Sequence, residues 1–325
     1  MQGPRPGTNT GATQSTSGDI QTRLDELLHQ SLAPSSYPTY RRAAQALARF
    51  YQESNQGTPK LPVSVNQIAS FIAYLSLKEY AAATIRTYVS ALSHMHKLLG
   101  DFNPTSHFQI KKLLDATDKS NSTGSQLKPM STELLHQILD NLHLFVKSHY
   151  ERVLYKALYL VMFHLCARVG ALSNNNHSNI LQLKDVSVLK SGDRQTVGFL
   201  ITFTKFKHSK KSPEQAFKLN STTSAHCPVK ALDCYLTSRG GDSGPLFKQI
   251  NGSPVPAQQV AVILHQALNH LKVDAKAYGT HSFRIGRCTE EAKKGASNAQ
   301  LQALGRWHSN AYLKYIRPEY VNLEL

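Results

Sequence analysis

The side chains that could do chemistry lie in the second half of the chain. Arg168 follows an apolar run, Ala157 to Ala167 (ALYLVMFHLCA). A guanidinium emerging there must be paired or aimed into a cleft, because an unpaired buried charge is costly. His281 and Arg284 stand three residues apart in HSFR, which on a helix places an imidazole and a guanidinium on one face. That pair suits a phosphate: the guanidinium offers a planar fork and the imidazole a proton or a hydrogen bond. Trp307, the single tryptophan, precedes Tyr312 and Tyr315 at a spacing that ordinarily marks packing residues. Lys205, Lys207, Lys210 and Lys211 crowd the stretch ITFTKFKHSKKSPEQAFKL. It reads as a hairpin carrying either a solvated basic loop or a lysine delivered to a nucleic-acid backbone. The sequence holds no carboxylate cluster or phosphate-cradling glycine loop that would seat magnesium.

Apolar periodicity sketches the scaffold. Residues 1–19 are polar, a flexible tail without the apolar segment of a secretory signal. Residues 20–117 read as a helical domain. Its stripes are Leu24, Leu27, Leu28 and Leu32; Tyr40, Ala43, Ala44, Leu47 and Phe50; Ile68, Phe71, Ile72 and Leu75 behind the cap candidate Ser64; and Ile85, Tyr88, Val89, Leu92 and Met95. Phe108 to Ala116 predicts a short fifth helix. Residues 118–129 are polar and Ser/Asn-rich, a linker.

Residues 130–325 form the second domain. Ser131 opens STELLHQILDNL with the look of a capping box. Val153 to Cys166 is apolar on most sides and predicts a buried helix with Arg168 at its C-terminal end. Val197 to Phe203 predicts a strand and Ala216 to Leu219 its returning partner. Cys227 to Arg239 and Gln258 to Leu271 predict helices. His281 to Tyr315 is helical with a break at Gly305-Arg306-Trp307, after which Ser309 or Asn310 caps a segment that Pro318 stops.

The chain has 325 residues, enough for two domains, with 37 lysines and arginines against 21 aspartates and glutamates, a formal charge of +16. Such an excess points to a polyanionic partner, nucleic acid or an anionic membrane surface. The most apolar run, Ala157 to Ala167, contains His164 and falls short of the ~20 residues a transmembrane helix needs. At 41% hydrophobic and 18% charged residues the chain is ordinary globular protein. Cys166, Cys227, Cys234 and Cys288 include no C-x-x-C pair, and His226-Cys227 with Cys234 fits no common zinc spacing. Free thiols in a reducing compartment are expected, with no metal and no cofactor.

Taken together the motifs carry a family resemblance. CARVGALS around Arg168, FKHSKK around Lys207, HSFRIG from His281 to Gly286 and ALGRWHSNAYLKYIRP up to Pro318 resemble the tyrosine recombinases, or phage-type integrases. The nearest likeness is to those of eukaryotic mobile elements of the DIRS, Ngaro and Crypton kinds. HCPVKALDCYLTSRG and PLF at Pro245 to Phe247 add to it, and YPTYRRAAQALARFY and ATIRTYVSALSHMHK resemble the family's core-binding domain. The resemblance spans nearly all of the chain after Ile20. It implies a fold that is mainly α with a small antiparallel β-sheet: a helical core-binding (SAM-like) domain, then an α+β catalytic domain.

It also implies an activity: site-specific DNA integration or excision, in which a tyrosine attacks a phosphodiester to give a 3′-phosphotyrosyl link and a free 5′-hydroxyl, with neither metal nor ATP. Arg168 and Arg284 would supply the cations and His281 a hydrogen bond and a proton acceptor. Lys207, with Lys205 as alternative, would protonate the leaving oxygen. Trp307, with His308 as alternative, would donate a ring N–H, and Tyr315 rather than Tyr312 would attack. The implied partners are double-stranded DNA and further copies of the chain, as a tetramer on paired sites in a nucleus. Arg41, Arg42, Arg86 and Lys97 are candidate phosphate contacts of the helical half. Three features depart from the family pattern: Ala171 stands where an acidic residue is frequent, an Asn-rich insert runs from Asn174 to Asn179, and only residues 316–325 follow Tyr315. Two other readings use the same residues: a non-catalytic DNA-binding protein derived from such an element, and a type IB topoisomerase-like relaxing activity.

Overall fold

The computed structural model describes residues 22–23, 26–27, 31–32, 36–100, 102–120, 127–173, 180–203 and 214–321. The expected tail and the lysine-bearing hairpin tip lie outside them, as do Leu24 and Leu28 of the first stripe and the Asn-rich insert. The chain divides into two compact units, Met1–Gly124 and Ser125–Leu325.

The first unit has four helices among its described residues: α1 (Tyr37–Glu53), α2 (Val65–Leu77), α3 (Ala82–Leu98) and α4 (Phe108–Ser120). Each of these helices buries one face, and Leu47, Phe50, Phe71, Ile72, Ile85 and Leu92 meet in one core, while Ala44 of the expected stripe is exposed. Ser64 caps α2 in a full capping box with Gln67. His96 is wholly buried and satisfied at both nitrogens: Nε2 accepts from Val63 N–H at 3.0 Å, so the Nδ1–H faces Leu92 O at 2.7 Å. α4 runs past the expected Ala116 to Ser120, and Arg86 of α3 pairs with its Asp115 and Asp118. Arg86, a candidate phosphate contact, is thus paired with two carboxylates, whereas Arg41, Arg42 and Lys97 are exposed.

The second unit is built on α6 (His149–His164), whose Leu154, Tyr155 and Leu158–Phe163 are all buried. Around it stand α5 (Thr132–Asp140), a one-turn α7 (Val169–Leu172), α8 (Pro228–Arg239), α9 (Ala257–His270), α10 (Thr280–Lys293), α11 (Asn298–Gly305), a 3₁₀ turn (Asn310–Tyr315) and α12 (Pro318–Val321). Ser131 caps α5 by accepting from Leu134 N–H, but no capping box forms, because Glu133 sits one position too early to reach back. A three-stranded antiparallel sheet joins β1 (Val186–Lys190), β2 (Thr196–Phe203) and β3 (Gln215–Asn220) in that order. β1, with only half-buried and exposed residues, had no alternation to announce it. The architecture is thus mainly helical with a small antiparallel sheet.

Three local differences from the sequence expectations shape the site. α6 ends at His164, so Arg168 is not at its tip but stands at the N-cap position of the separate α7, with no side-chain capping bond. The last third has a second break, where Gly295 (φ 81°) closes α10 and Ser297 opens α11 in a capping box with Gln300. Pro318 begins α12 rather than only ending what precedes it.

Candidate active site

Two helix ends build the site. After α6, Cys166 N–H donates to Phe163 O at 3.0 Å and Ala167 N–H to Met162 O at 2.9 Å. After α11, Arg306 N–H donates to Ala303 O at 3.2 Å and Trp307 N–H to Gln302 O at 2.9 Å. Both are Schellman turns, which need a left-handed residue that is usually glycine. Here those residues are Cys166 (φ 46°) and Arg306 (φ 58°). Four other non-glycine residues among those described have positive φ, namely Asn55, Glu79, Arg194 and Lys272, and all four are exposed. Cys166 is wholly buried and Arg306 is 8% exposed. Buried strain of this kind persists only where its surroundings over-determine it, and it clusters at functional sites.

The first turn aims the Cys166 carbonyl inward and sends the chain on to Arg168. Arg284, 0% exposed on α10, donates from Nη1 to Cys166 O at 2.5 Å and from Nη2 to Gly305 O at 2.6 Å. Arg306 donates from Nη2 to the same Cys166 oxygen at 3.4 Å. Its guanidinium also lies 4.3 Å above the ring of Phe203 and 5.0 Å from that of Phe217. Arg284 Nε and Arg306 Nη1 are buried with no hydrogen-bond partner among the described residues.

Electrostatics marks the cluster. Burial, with the Arg168 charge adding to it, presses Arg284 below the ordinary arginine range, and the Cys166 thiol and Tyr315 phenol offset part of this. Burial, and then the charge of Arg284, push Arg306 down to about 10. Among the described residues no carboxylate pairs with Arg168, Arg284 or Arg306. Cations gathered in a low-dielectric site without a counter-charge repel one another, and an anion relieves that repulsion.

The aromatic residues pack on this base. The guanidinium carbon of Arg284 is 4.2 Å from the centroid of Trp307 and 5.1 Å from that of Tyr315. Trp307 is 4.9 Å from Tyr315, and the exposed His281 ring stacks on Tyr315 at 6.0 Å and 25°. Gly305 permits this arrangement: a Cβ there would fall 1.9 Å from Trp307 Cζ3. Tyr315 ends the 3₁₀ turn that Ser309 caps, and Thr289 of α10 pins it, donating to Tyr315 O at 3.3 Å and accepting from Arg317 N–H at 3.2 Å.

Of the residues singled out in the sequence, Arg284, Trp307, Tyr315 and His281 therefore meet in ring and guanidinium contacts, with the half-buried Arg168 close enough to act on Arg284 and Arg306. Trp307 turns its ring face to Arg284, while its Nε1–H is buried without a hydrogen-bond partner among the described residues. The alternative, His308, is exposed. Tyr312 is 2% exposed and packs with Cys166, Cys288, Leu301 and Trp307. Lys205 and Lys207 lie outside the described residues. Arg306 was not among the residues singled out. It stands between Gly305 and Trp307, in a break that suggested only a helix end, and nothing local in the sequence marks its burial.

No family model and no curated protein matches the chain. Solved structures do. The XerH site-specific recombinase bound to palindromic difH substrate matches with a TM-score of 0.64 at 17% identity, over 90% of this chain and 80% of that one. The Tn1549 transposon integrase in complex with transposon right end DNA matches with a TM-score of 0.60 at 14% identity, over 91% and 94%. A lambda integrase dimer bound to a COC′ core site matches with a TM-score of 0.59 at 14% identity, over 96% and 82%. These neighbours are tyrosine recombinases or integrases, and at such identities the likeness is one of fold.

Proposed function

We propose that this chain is a site-specific DNA recombinase that breaks and rejoins DNA through a 3′-phosphotyrosyl intermediate on Tyr315. The observation that carries the reading is the contact of the Tyr315 ring with the Arg284 guanidinium, 5.1 Å away, in a cluster of cations with which no carboxylate among the described residues pairs. The fold neighbours in complex with DNA and the charge of +16 support a duplex as the polyanion.

In this reading the Tyr315 hydroxyl attacks the scissile phosphorus, the P–O5′ bond breaks, and the phenol proton passes to His281. A phenol has a reference pKa of ~10, so its proton must leave as the bond forms. Arg168 and Arg284 donate to the non-bridging oxygens and take up the charge of the phosphorane, the largest single contribution such a site makes. Lys207, or Lys205, gives the leaving 5′-oxygen its proton. Rejoining runs the same steps backwards, and the phosphotyrosyl bond conserves the energy for it. Trp307 holds the planes of Arg284 and Tyr315 and so acts by position.

The motifs around Arg168, His281 and Tyr315 favour an origin in a DIRS-, Ngaro- or Crypton-type mobile element, with a nuclear site of action and a tetramer on paired DNA sites. The test is a pool of nicked suicide duplexes with randomised arms. A denaturant-resistant protein–DNA adduct that disappears in Tyr315→Phe is the expected result. An adduct that survives Tyr315→Phe moves the nucleophile elsewhere, and its absence on every duplex bound by the protein removes the catalytic reading.

A further inference from the structure

Arg306 is the residue this arrangement explains least if its role is only to pack. A side chain that fills the space beside Phe203 and Phe217 needs neither a charge nor a left-handed backbone; an apolar residue of similar volume would be at least as stable there. Instead a cation is buried beside a second one, the two sharing the Cys166 oxygen, and one N–H group, Nη1, is left with no partner among the described residues. Arg306 also lines a cleft of about 260 Å³ with Phe217, Gln302, Trp307 and His308.

We propose that Arg306 is a third phosphate-binding guanidinium of the site, its Nη1–H kept for a non-bridging oxygen, and that Arg168, Arg284 and Arg306 together hold one tetrahedral oxyanion even without DNA. The inference deepens the reading of the site as a phosphoryl-transfer centre and rests on it. Three guanidiniums around one phosphate satisfy what the geometry leaves open: the free N–H groups find acceptors, and the cations find their missing counter-charge. The strain at Cys166 and Arg306 gains a purpose, since both turns are needed to bring the three side chains to one place.

Trp307, the only tryptophan, packs against Arg284 and so reports on the cluster by its own fluorescence. The experiment is a titration of the full chain with inorganic phosphate at constant ionic strength, with chloride as control, on the wild type, Arg306→Gln and Arg306→Lys. Thermal melts establish that each is folded. The wild type should give a saturable emission change. Arg306→Gln should weaken phosphate at least ~10-fold, and Arg306→Lys, which keeps the charge but loses the planar fork, several-fold. If Arg306→Gln does not fold, Arg306→Lys decides. Wild-type phosphate affinity in a folded variant, or no saturable response in the wild type, overturns the proposal. The readout needs no strand cleavage, so a chain that binds phosphate through Arg306 yet forms no covalent adduct would contradict the recombinase reading and leave this one in place.

Discussion

Arg284 and Arg306 share one acceptor: Nη1 of the first and Nη2 of the second both donate to the carbonyl oxygen of Cys166, at 2.5 and 3.4 Å. That oxygen is available because Cys166 is left-handed, and Arg306 reaches it because Arg306 is left-handed too. The two strained helix ends thus fasten α6, α10 and α11 together at the point where the site's charges collect.

Arg284→Lys should show how far that fastening depends on a fork. A lysine cannot bridge Cys166 O and Gly305 O, so one buried carbonyl loses its donor. Denaturant unfolding should register a loss of ~1–3 kcal/mol. Adduct formation should fall by ~10²–10³-fold, as when a preorganised charge donor is removed. Wild-type cleavage by this variant would take Arg284 out of the chemistry.

Gly305→Ala tests the seat of Trp307. The new methyl overlaps the indole, so the ring must leave Arg284, with a red-shifted emission and a stability cost of ~1–3 kcal/mol. Gly170→Ala is the control: a Cβ there meets nothing within 4 Å, and in the one-turn α7 alanine should be neutral or stabilising by up to ~1 kcal/mol. Equal behaviour of the two variants would remove the role given to Gly305.

The architecture was largely legible because burial writes itself into spacing. Leu47 and Phe50, or Ile68, Phe71, Ile72 and Leu75, lie three and four apart, and Val197 to Phe203 is rich in β-branched and aromatic residues. The site was legible where chemistry shares a short motif, as in His281 with Arg284, or where a rare residue such as Trp307 drew notice. What stayed hidden depends on contacts made across the fold. Cys166 as a left-handed turn residue breaks the usual link between such turns and glycine. Gly305, which looked like the glycine of a helix end, is needed instead for the close approach of an indole, and the left-handed position falls to Arg306.

The half-buried imidazole of His164 should give stability a pH dependence. Burial first, and then the Arg287 charge, hold it down to about 4. Its folded pKa lies below the unfolded value of ~6.5, so the unfolded chain binds the proton more readily, and lowering the pH from 6.5 towards 4 favours unfolding. The slope from this group is at most ~1.4 kcal/mol per pH unit. Unfolding midpoints of the wild type and His164→Gln should diverge over that interval and run parallel above pH 7; parallel curves throughout would assign the acid sensitivity elsewhere.

In the first unit, Arg86 is already held by Asp115 and Asp118, whereas Arg41 and Arg42 are exposed. Arg86→Gln should cost under ~1 kcal/mol of stability and leave the salt dependence of DNA binding unchanged. Arg41→Gln or Arg42→Gln, by taking one cation off a phosphate, should lower the slope of log K against log salt by ~0.9. A reduced slope in Arg86→Gln would mean that DNA displaces its carboxylates.

The central claim concerns one oxygen atom, the Tyr315 hydroxyl, and is tested most directly by locating the covalent bond. Protein trapped on a nicked suicide duplex should be digested with protease and nuclease, and the nucleotide-bearing peptide sequenced by mass spectrometry. The expected product is a 3′-phosphoryl nucleotide on Tyr315, retained in Tyr312→Phe and lost in Tyr315→Phe. A nucleotide on Tyr312 or any other residue, or a bond through the 5′-phosphate, would contradict it.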